Sequence, residues 1–292
     1  GTSLTYALSV TVDGEELGII ASEEDFENAE KEMHQRIDQA GYIYKKSLEP
    51  EYTLRLVTEE EQYLPVQVLA DKLLAGTGAE LKDAWGVYVD GKFIGAVEEK
   101  DAISKYLAKN LSDYAEGLDE NVSEVYYDKE VTYQEAVYLS DSLMTSDRII
   151  RILSKVSTRK SRYVVRMNDS PQLVAAMYGM EPEELEELNP EITERFEPGM
   201  LLTVNVTERY LPIAYTKTIN VTSYIDYGTV RVETSALNLG VERVIAHGKI
   251  GRRSSEVRVT YVDGVEQGRE VLSNVVLEEP VAEQIGVGTY SA

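Results

Sequence analysis

Few residues in this chain have the types and spacing that covalent chemistry needs. There is no cysteine, so disulfides and thiolate metal sites are ruled out. The two histidines, His34 and His247, lie far apart. A catalytic zinc usually takes three protein ligands, often spaced histidines, and that spacing is absent. No Gly-x-Ser-x-Gly elbow, phosphate-binding loop or dinucleotide glycine pattern occurs. Glycoside hydrolysis needs only two carboxylates at a set separation, and 52 acidic residues do not exclude such a pair. That chemistry also needs a deep cleft, which small modules seldom supply. The sequence therefore predicts no catalytic residue, no metal site and no cofactor. What remains is binding chemistry, from turn backbone, polar caps and aromatic rings. Twenty tyrosines against three phenylalanines and one tryptophan suit partly wet aromatic positions. Such positions serve sugar-binding surfaces and β-structure alike.

Charge narrows the partners. With 29 basic and 52 acidic residues the formal net charge is −23. Such a chain repels nucleic acid and anionic lipid. The one basic run is 154–162, SKVSTRKSR, with Lys155, Arg159, Lys160 and Arg162. It reads as a solvated linker and the clearest boundary in the chain, or as a contact for anionic wall polymers. No window approaches the roughly 20 apolar residues that cross a bilayer. No leader-type apolar run follows Gly1-Thr2-Ser3.

The binding candidates must be positioned by residues 163–204. Tyr163 to Arg166 alternate as a short strand. Asn168-Asp169-Ser170-Pro171 is a turn that starts a helix, with Ser170 as cap and Pro171 at the first helical position, where its missing N–H costs nothing. Leu173, Val174 and Met177 follow at helical spacing, and Gly179 is a plausible stop. Pro182 begins a second helix, with Leu185 and Leu188 as its apolar positions. Asn189-Pro190 ends it, because the residue before proline is pushed out of the α region. Pro198-Gly199 is a turn, and Leu201, Leu202 and Val204 form a closing strand.

This order resembles the LysM domain, a small βααβ module of bacterial cell-wall proteins. The matching parts are YVV at 163–165, Asp169-Ser170, Tyr178-Gly179, EELEELNP and PGMLL. The family's first loop usually reads Gly-Asp-Thr-Leu. Here Asn168 stands for the glycine, and asparagine tolerates left-handed backbone. Pro171 is the larger departure. The resemblance implies that N-acetylglucosamine-containing glycan binds between two loops. Carried over, these are Asn168, Asp169, Ser170, Pro171 and Gln172, and then Asn189, Pro190, Glu191 and Ile192. Backbone amides and carbonyls would grip the N-acetyl group, with Ile192 against its methyl. The segment holds nine acids against Arg166 and Arg195, so the expected affinity is weak and nearly independent of salt.

Upstream, two stretches copy one another at a constant shift of 77. Val10, Val12, Asp13, Gly14 and Gly18 fall on Val87, Val89, Asp90, Gly91 and Gly95. Each reads as a hairpin about an Asp-Gly turn, and the turn's geometry alone accounts for that dipeptide. A helix follows, with Phe26, Ala29, Met33 and Ile37 on one face in the first copy, and Ile103, Tyr106, Leu107 and Leu111 in the second. A strand comes next, at 52–57 and 123–131, and then a helix near 64–75 and 144–154. The unit is of ββαβα type, twice. It is similar to the N-terminal repeats of some Gram-positive wall proteins.

Residues 205–290 alternate throughout and carry almost no helical pattern. Gly240, Gly248, Gly251, Gly264 and Gly288 punctuate them. From about Thr207 to Thr289 the stretch resembles the five-glycine module called the G-five domain, found in extracellular wall-binding proteins, adhesins and wall hydrolases. Strands polar on both faces predict an extended, single-layer β module with glycines at turns and bulges. G-five modules elsewhere associate through zinc, and the resemblance offers His247 with an acidic residue for such a contact only as the lesser reading; the expectation stays at no metal site.

The fold expected is α+β and multi-domain: α+β repeat modules at 1–80 and 81–156, a LysM-like βααβ module at 161–206, and an elongated all-β G-five-like module at 207–290. The function expected is a non-catalytic, extracytoplasmic, cell-wall-associated binding and spacer region for peptidoglycan or a similar N-acetylglucosamine glycan. The order of modules resembles the region before a zinc endopeptidase domain in Gram-positive wall hydrolases. The alternative is an adhesin or cell-surface assembly scaffold that binds proteins.

Overall fold

A computed structural model describes residues 3–292. The opening Gly1-Thr2 of the first expected module lies outside them. The chain divides into two compact units: Gly1–Ser112 with Tyr127–Val156 and Arg209–Leu211, and Asp113–Tyr126 with Ser157–Glu208 and Pro212–Ala292.

The first unit contains two successions of the same element order. The first is β1 (Leu4–Val12), β2 (Glu15–Ile20), α1 (Glu23–Gln39), β3 (Glu51–Thr58) and α2 (Val66–Ala75). The second is β4 (Leu81–Val89), β5 (Lys92–Val97), α3 (Asp101–Glu116), β7 (Val131–Leu139) and α4 (Ser146–Leu153); the strand between α3 and β7, β6 (Val122–Tyr127), lies but for Tyr127 in the second unit. Their sheets run β2-β1-β3 and β5-β4-β7. Asp13-Gly14 and Asp90-Gly91 both have positive φ at both residues, which a tight hairpin matching the strand twist demands. The register slips between Val10 and Thr11 in one hairpin and between Val87 and Tyr88 in the other, 77 residues apart. Val10, Val12, Phe26, Met33 and Ile37 are buried with Leu69, Leu73 and Leu74 of α2. Val87, Val89, Ile103 and Leu107 are buried with Ile149 and Leu153 of α4.

The third strand of the second copy departs from the sequence reading. Of residues 123–131, the strand part up to Tyr127 does not lie beside β4; β7, which starts at Val131, does, with Ala84 opposite Ala136. The stretch Val122–Tyr127 is β6 and pairs with a strand of the second unit's large sheet. Both SEVYY and VTYQEAVYL alternate, and period alone does not choose between them.

After β6, the second unit continues with β8 (Val156–Val164), which pairs with β9 (Leu201–Arg209). The basic run 154–162 is therefore mostly strand, not linker. Its alternation was masked by lysine, arginine and serine, and an exposed two-stranded ribbon tolerates them on both faces. Between these strands lie α5 (Pro171–Met177) and α6 (Pro182–Leu188). Tyr163, Val165, Val174, Ala175, Leu185, Leu202 and Val204 make their shared core.

The rest is all β: β10 (Ile213–Ile225), β11 (Thr229–Asn238), β12 (Glu242–Ala246), β13 (Gly251–Val262), β14 (Val265–Glu278) and β15 (Glu283–Tyr290). One sheet runs β14-β13-β10-β6 and another β11-β15-β12, with β11 parallel to β15. Most of β14 is exposed on both faces, so this part of the sheet is a single layer. Asp263-Gly264 forms a third left-handed hairpin turn. Two of the five punctuating glycines lie in strands, not turns. A Cβ on Gly288 would overlap the Asn238 carbonyl, and one on Gly251 would overlap the Glu278 carbonyl. Backbone crosses backbone at both points, which only glycine allows.

Candidate functional site

The turn after β8 is built locally. Asn168 is left-handed, with φ of 67°. The Asp169 carboxylate accepts from the Tyr163 hydroxyl at 2.6 Å and from the Arg166 backbone N–H at 2.7 Å. It thus clamps the end of the strand to the turn. Burial, reinforced by Asp169, pushes the Tyr163 hydroxyl up to about 12. Ser170 then caps α5, its Oγ accepting from the Leu173 N–H at 3.1 Å. Pro171 holds the first helical position. Asn168 and Gln172 are exposed, while Asp169, Ser170 and Pro171 are half-buried.

The turn after α6 is tied more deeply. Gly179 and Gly199 take positive φ at the two flanking turns. A capping box of Glu181 and Glu184 starts α6, with Pro182 at its first position. Asn189 is only 2% exposed. Its Nδ2 donates to the Leu185 and Thr203 carbonyls, and its Oδ1 accepts from the Thr203 N–H at 2.6 Å. Three of the amide's four hydrogen-bonding positions are used in joining α6 to β9, and both N–H donors are committed, so the buried amide acts by positioning the loop. Ile192 is 8% exposed and packs in the core, so its side chain supports the loop from beneath. Pro190 and Glu191 are exposed. The surface that the second loop offers is therefore backbone and the tops of Pro190 and Glu191.

Sequence reasoning missed the aromatic residues of the same module. Tyr178 lies edge-on to Tyr163, with centroids 5.8 Å apart, and the Arg166 guanidinium stands 5.9 Å over the Tyr163 ring. Tyr163, Arg166, Asp169 and Tyr178 line one cleft. The i, i+3 spacing from Tyr163 through Arg166 to Asp169 is the sequence signal for it, and a strand followed by a turn accounts for that spacing equally. His34 is half-buried on α1 and His247 is exposed after β12. Among the described residues, no group of three or more histidine and carboxylate side chains is placed to hold a metal. No described helix is long and apolar enough to cross a membrane.

Comparison with known proteins identifies one part of the chain. Residues 216–290 match the family model described as G5 domain. That segment is a G5 domain, the five-glycine module, and it begins within β10; Thr207 belongs to β9 instead. The structure titled IgA1 Protease G5 domain is similar, at 26% identity over 27% of this chain and 94% of that one, with a TM-score of 0.19. The crystal structure of HP0197-G5 is similar at 24% identity over 26% of this chain and 97% of that one, with a TM-score of 0.23. No curated protein matches the chain.

Proposed function

We propose that this chain is a non-catalytic, extracytoplasmic binding and spacer region of a cell-wall protein, and that its βααβ module is a LysM-like domain for N-acetylglucosamine-containing glycan. The observation that carries the reading is the pair of pre-shaped loops. The Asp169 clamp and the Ser170 cap hold 168–172, and the Asn189 amide holds 189–192, before any ligand arrives. Rigid loops lose little entropy on binding, which a weak neutral-sugar site requires. The match of residues 216–290 to the G5 domain family supports a cell-surface setting. The two α+β copies then act as rigid spacing modules, and a downstream catalytic domain is the natural cargo.

Contact with sugar comes from backbone groups of both loops and from the exposed Asn168, Gln172, Pro190 and Glu191. Asn189 and Ile192 act by position. Titration with N-acetylglucosamine oligomers, followed by NMR of residues 163–204, tests this. Shifts confined to the two loops, unchanged by added salt, are expected. No shift in either loop at millimolar sugar sinks the proposal. A second reading, a protein-binding surface module, draws on the exposed β14 edge with Val271, Val275 and Leu277. Capture of wall proteins in place of glycan would favour it.

A further inference from the structure

A cleft of about 1380 Å³ lies between α5 and the hairpin that joins β13 to β14. Its helix wall is apolar, with Met177 and the 54% exposed Leu173. Its sheet wall is aromatic. Tyr215 and Tyr261 face each other across β10 and β13 and stack, with centroids 5.0 Å apart and 18° between the planes. Tyr114 extends this row, 6.4 Å from Tyr215.

The rim is basic in an acidic chain. Arg162, Arg166, Lys217 and Arg269 border the cleft, against the carboxylates of Asp169 and Glu266. Two of the cations are committed elsewhere: Lys217 to Asp119 and Arg269 to Glu266. Asp169 is committed to the Tyr163 hydroxyl and the Arg166 N–H. That leaves the guanidinium groups of Arg162 and Arg166 without a carboxylate partner among the described residues. Both are exposed at the mouth of the cleft.

Each half of this arrangement selects one half of a ligand. Tyr215 and Tyr261 turn their inner faces to each other, and the ring surface the stacked pair leaves outward takes the C–H groups of a pyranose ring and excludes water there. A guanidinium fork matches a carboxylate in two parallel hydrogen bonds. A neutral sugar leaves the arginines unused, and a bare anion leaves the tyrosines unused. We propose that this cleft binds a carboxylate-bearing saccharide, with a sugar ring on Tyr215 and Tyr261 and its carboxylate on Arg162 and Arg166. The site shares only Asp169 with the neutral-sugar loops assigned above, and it stands on separate observations.

The test uses the full chain with two probes, an oligogalacturonate and the neutral chitotriose, and two variants, Arg162→Gln/Arg166→Gln and Tyr261→Ala. Circular dichroism establishes that each variant is folded; the arginine pair is exposed, so that variant keeps the test alive if Tyr261→Ala fails to fold. Oligogalacturonate is expected to shift the signals of Tyr215 and Tyr261. Its affinity should fall about tenfold or more in either variant, the range of a central contact residue. It should also weaken as salt rises, because the charge pairs are exposed to solvent. Chitotriose binding should be the same in the variants as in the parent. Absence of oligogalacturonate binding overturns the proposal, and so does an affinity untouched by the arginine substitutions. Full competition by inorganic phosphate, with no loss in Tyr261→Ala, reduces the cleft to a plain anion site and also overturns it. Failure of chitotriose to bind bears only on the loops.

Discussion

At the scale of single residues, Asp169 does more than its place in a loop suggests. One carboxylate oxygen takes both the Tyr163 hydroxyl and a backbone N–H, so the strand end and the turn share one acceptor. The tyrosine is held neutral by burial and by that carboxylate, and its pKa rises from 10.0 to about 12. A raised folded-state value means that the contribution to stability is complete below the unfolded value. It is then lost as pH climbs through the window from 10 to about 12. In an alkaline titration the Tyr163 ring signals, followed by NMR, should therefore change late, and the 163–204 core should loosen over that window. Asp169→Asn removes the negative charge and should bring the late tyrosine earlier. An unchanged titration would dismiss Asp169 as a cause. Burial also holds the Tyr88 hydroxyl well above the ordinary phenol range, with Tyr138 and Glu32 adding to it. Tyr88 is therefore a donor throughout the physiological range.

At the scale of elements, the two α+β copies are joined by a charged side chain. Arg36 of α1 is fully buried. It donates to Glu32 one turn back, to Asp71 of α2 at 2.6 Å, and to the Val137 carbonyl of β7 at 2.8 Å. Its guanidinium lies 4.8 Å over the Tyr138 ring. A buried pair is weak evidence of net stabilisation, but removing one member strands the others. Arg36→Ala leaves Glu32 without its cation and a β7 carbonyl without its donor. It should cost about 3–5 kcal/mol in denaturant unfolding, whereas a surface arginine such as Arg55 should cost under about 1 kcal/mol. The same scale governs Gly288. Its Cα abuts the backbone at Asn238, where β11 and β15 run parallel. Gly288→Ala should destabilise the G5 segment by about 1–3 kcal/mol or more, read as loss of β-sheet signal on heating. Gly264→Ala meets no neighbouring atom and carries only the cost of its positive φ.

At the scale of the whole molecule, charge is the governing quantity. A net −23 on 292 residues produces self-repulsion that opposes the compact state. Most ion pairs available to offset it are exposed, such as Lys46 with Asp13 and Arg258 with Glu270. Such pairs contribute little each. Added sodium chloride should therefore raise the melting temperature, because screening relieves more repulsion than it removes attraction. A melting temperature that falls with salt would mean that the exposed pairs outweigh the net charge.

Sequence alone determined what closes within a few residues. The Asp-Gly turns, the left-handed Asn168, the Ser170–Pro171 helix start and the Asn189-Pro190 helix end are each set by contacts spanning four residues or fewer. The glycine pattern of the last β module was legible for a related reason: close approach and positive φ admit little else. The partner of a strand was not legible. Alternation says which residues share a face, but backbone hydrogen bonds are alike in every strand. Only tertiary structure sent Val122–Tyr127 to β10 and put β7 beside β4. Only it turned the basic run 154–162 into the pairing partner of β9. Tertiary structure alone also buried Arg36, Asn189 and Ile192, and assembled Tyr163, Tyr178, Tyr215 and Tyr261 around one cleft. Those outcomes depend on contacts between residues tens of positions apart, where burial and hydrogen-bond satisfaction are decided by the neighbours and not by the side chain's own type.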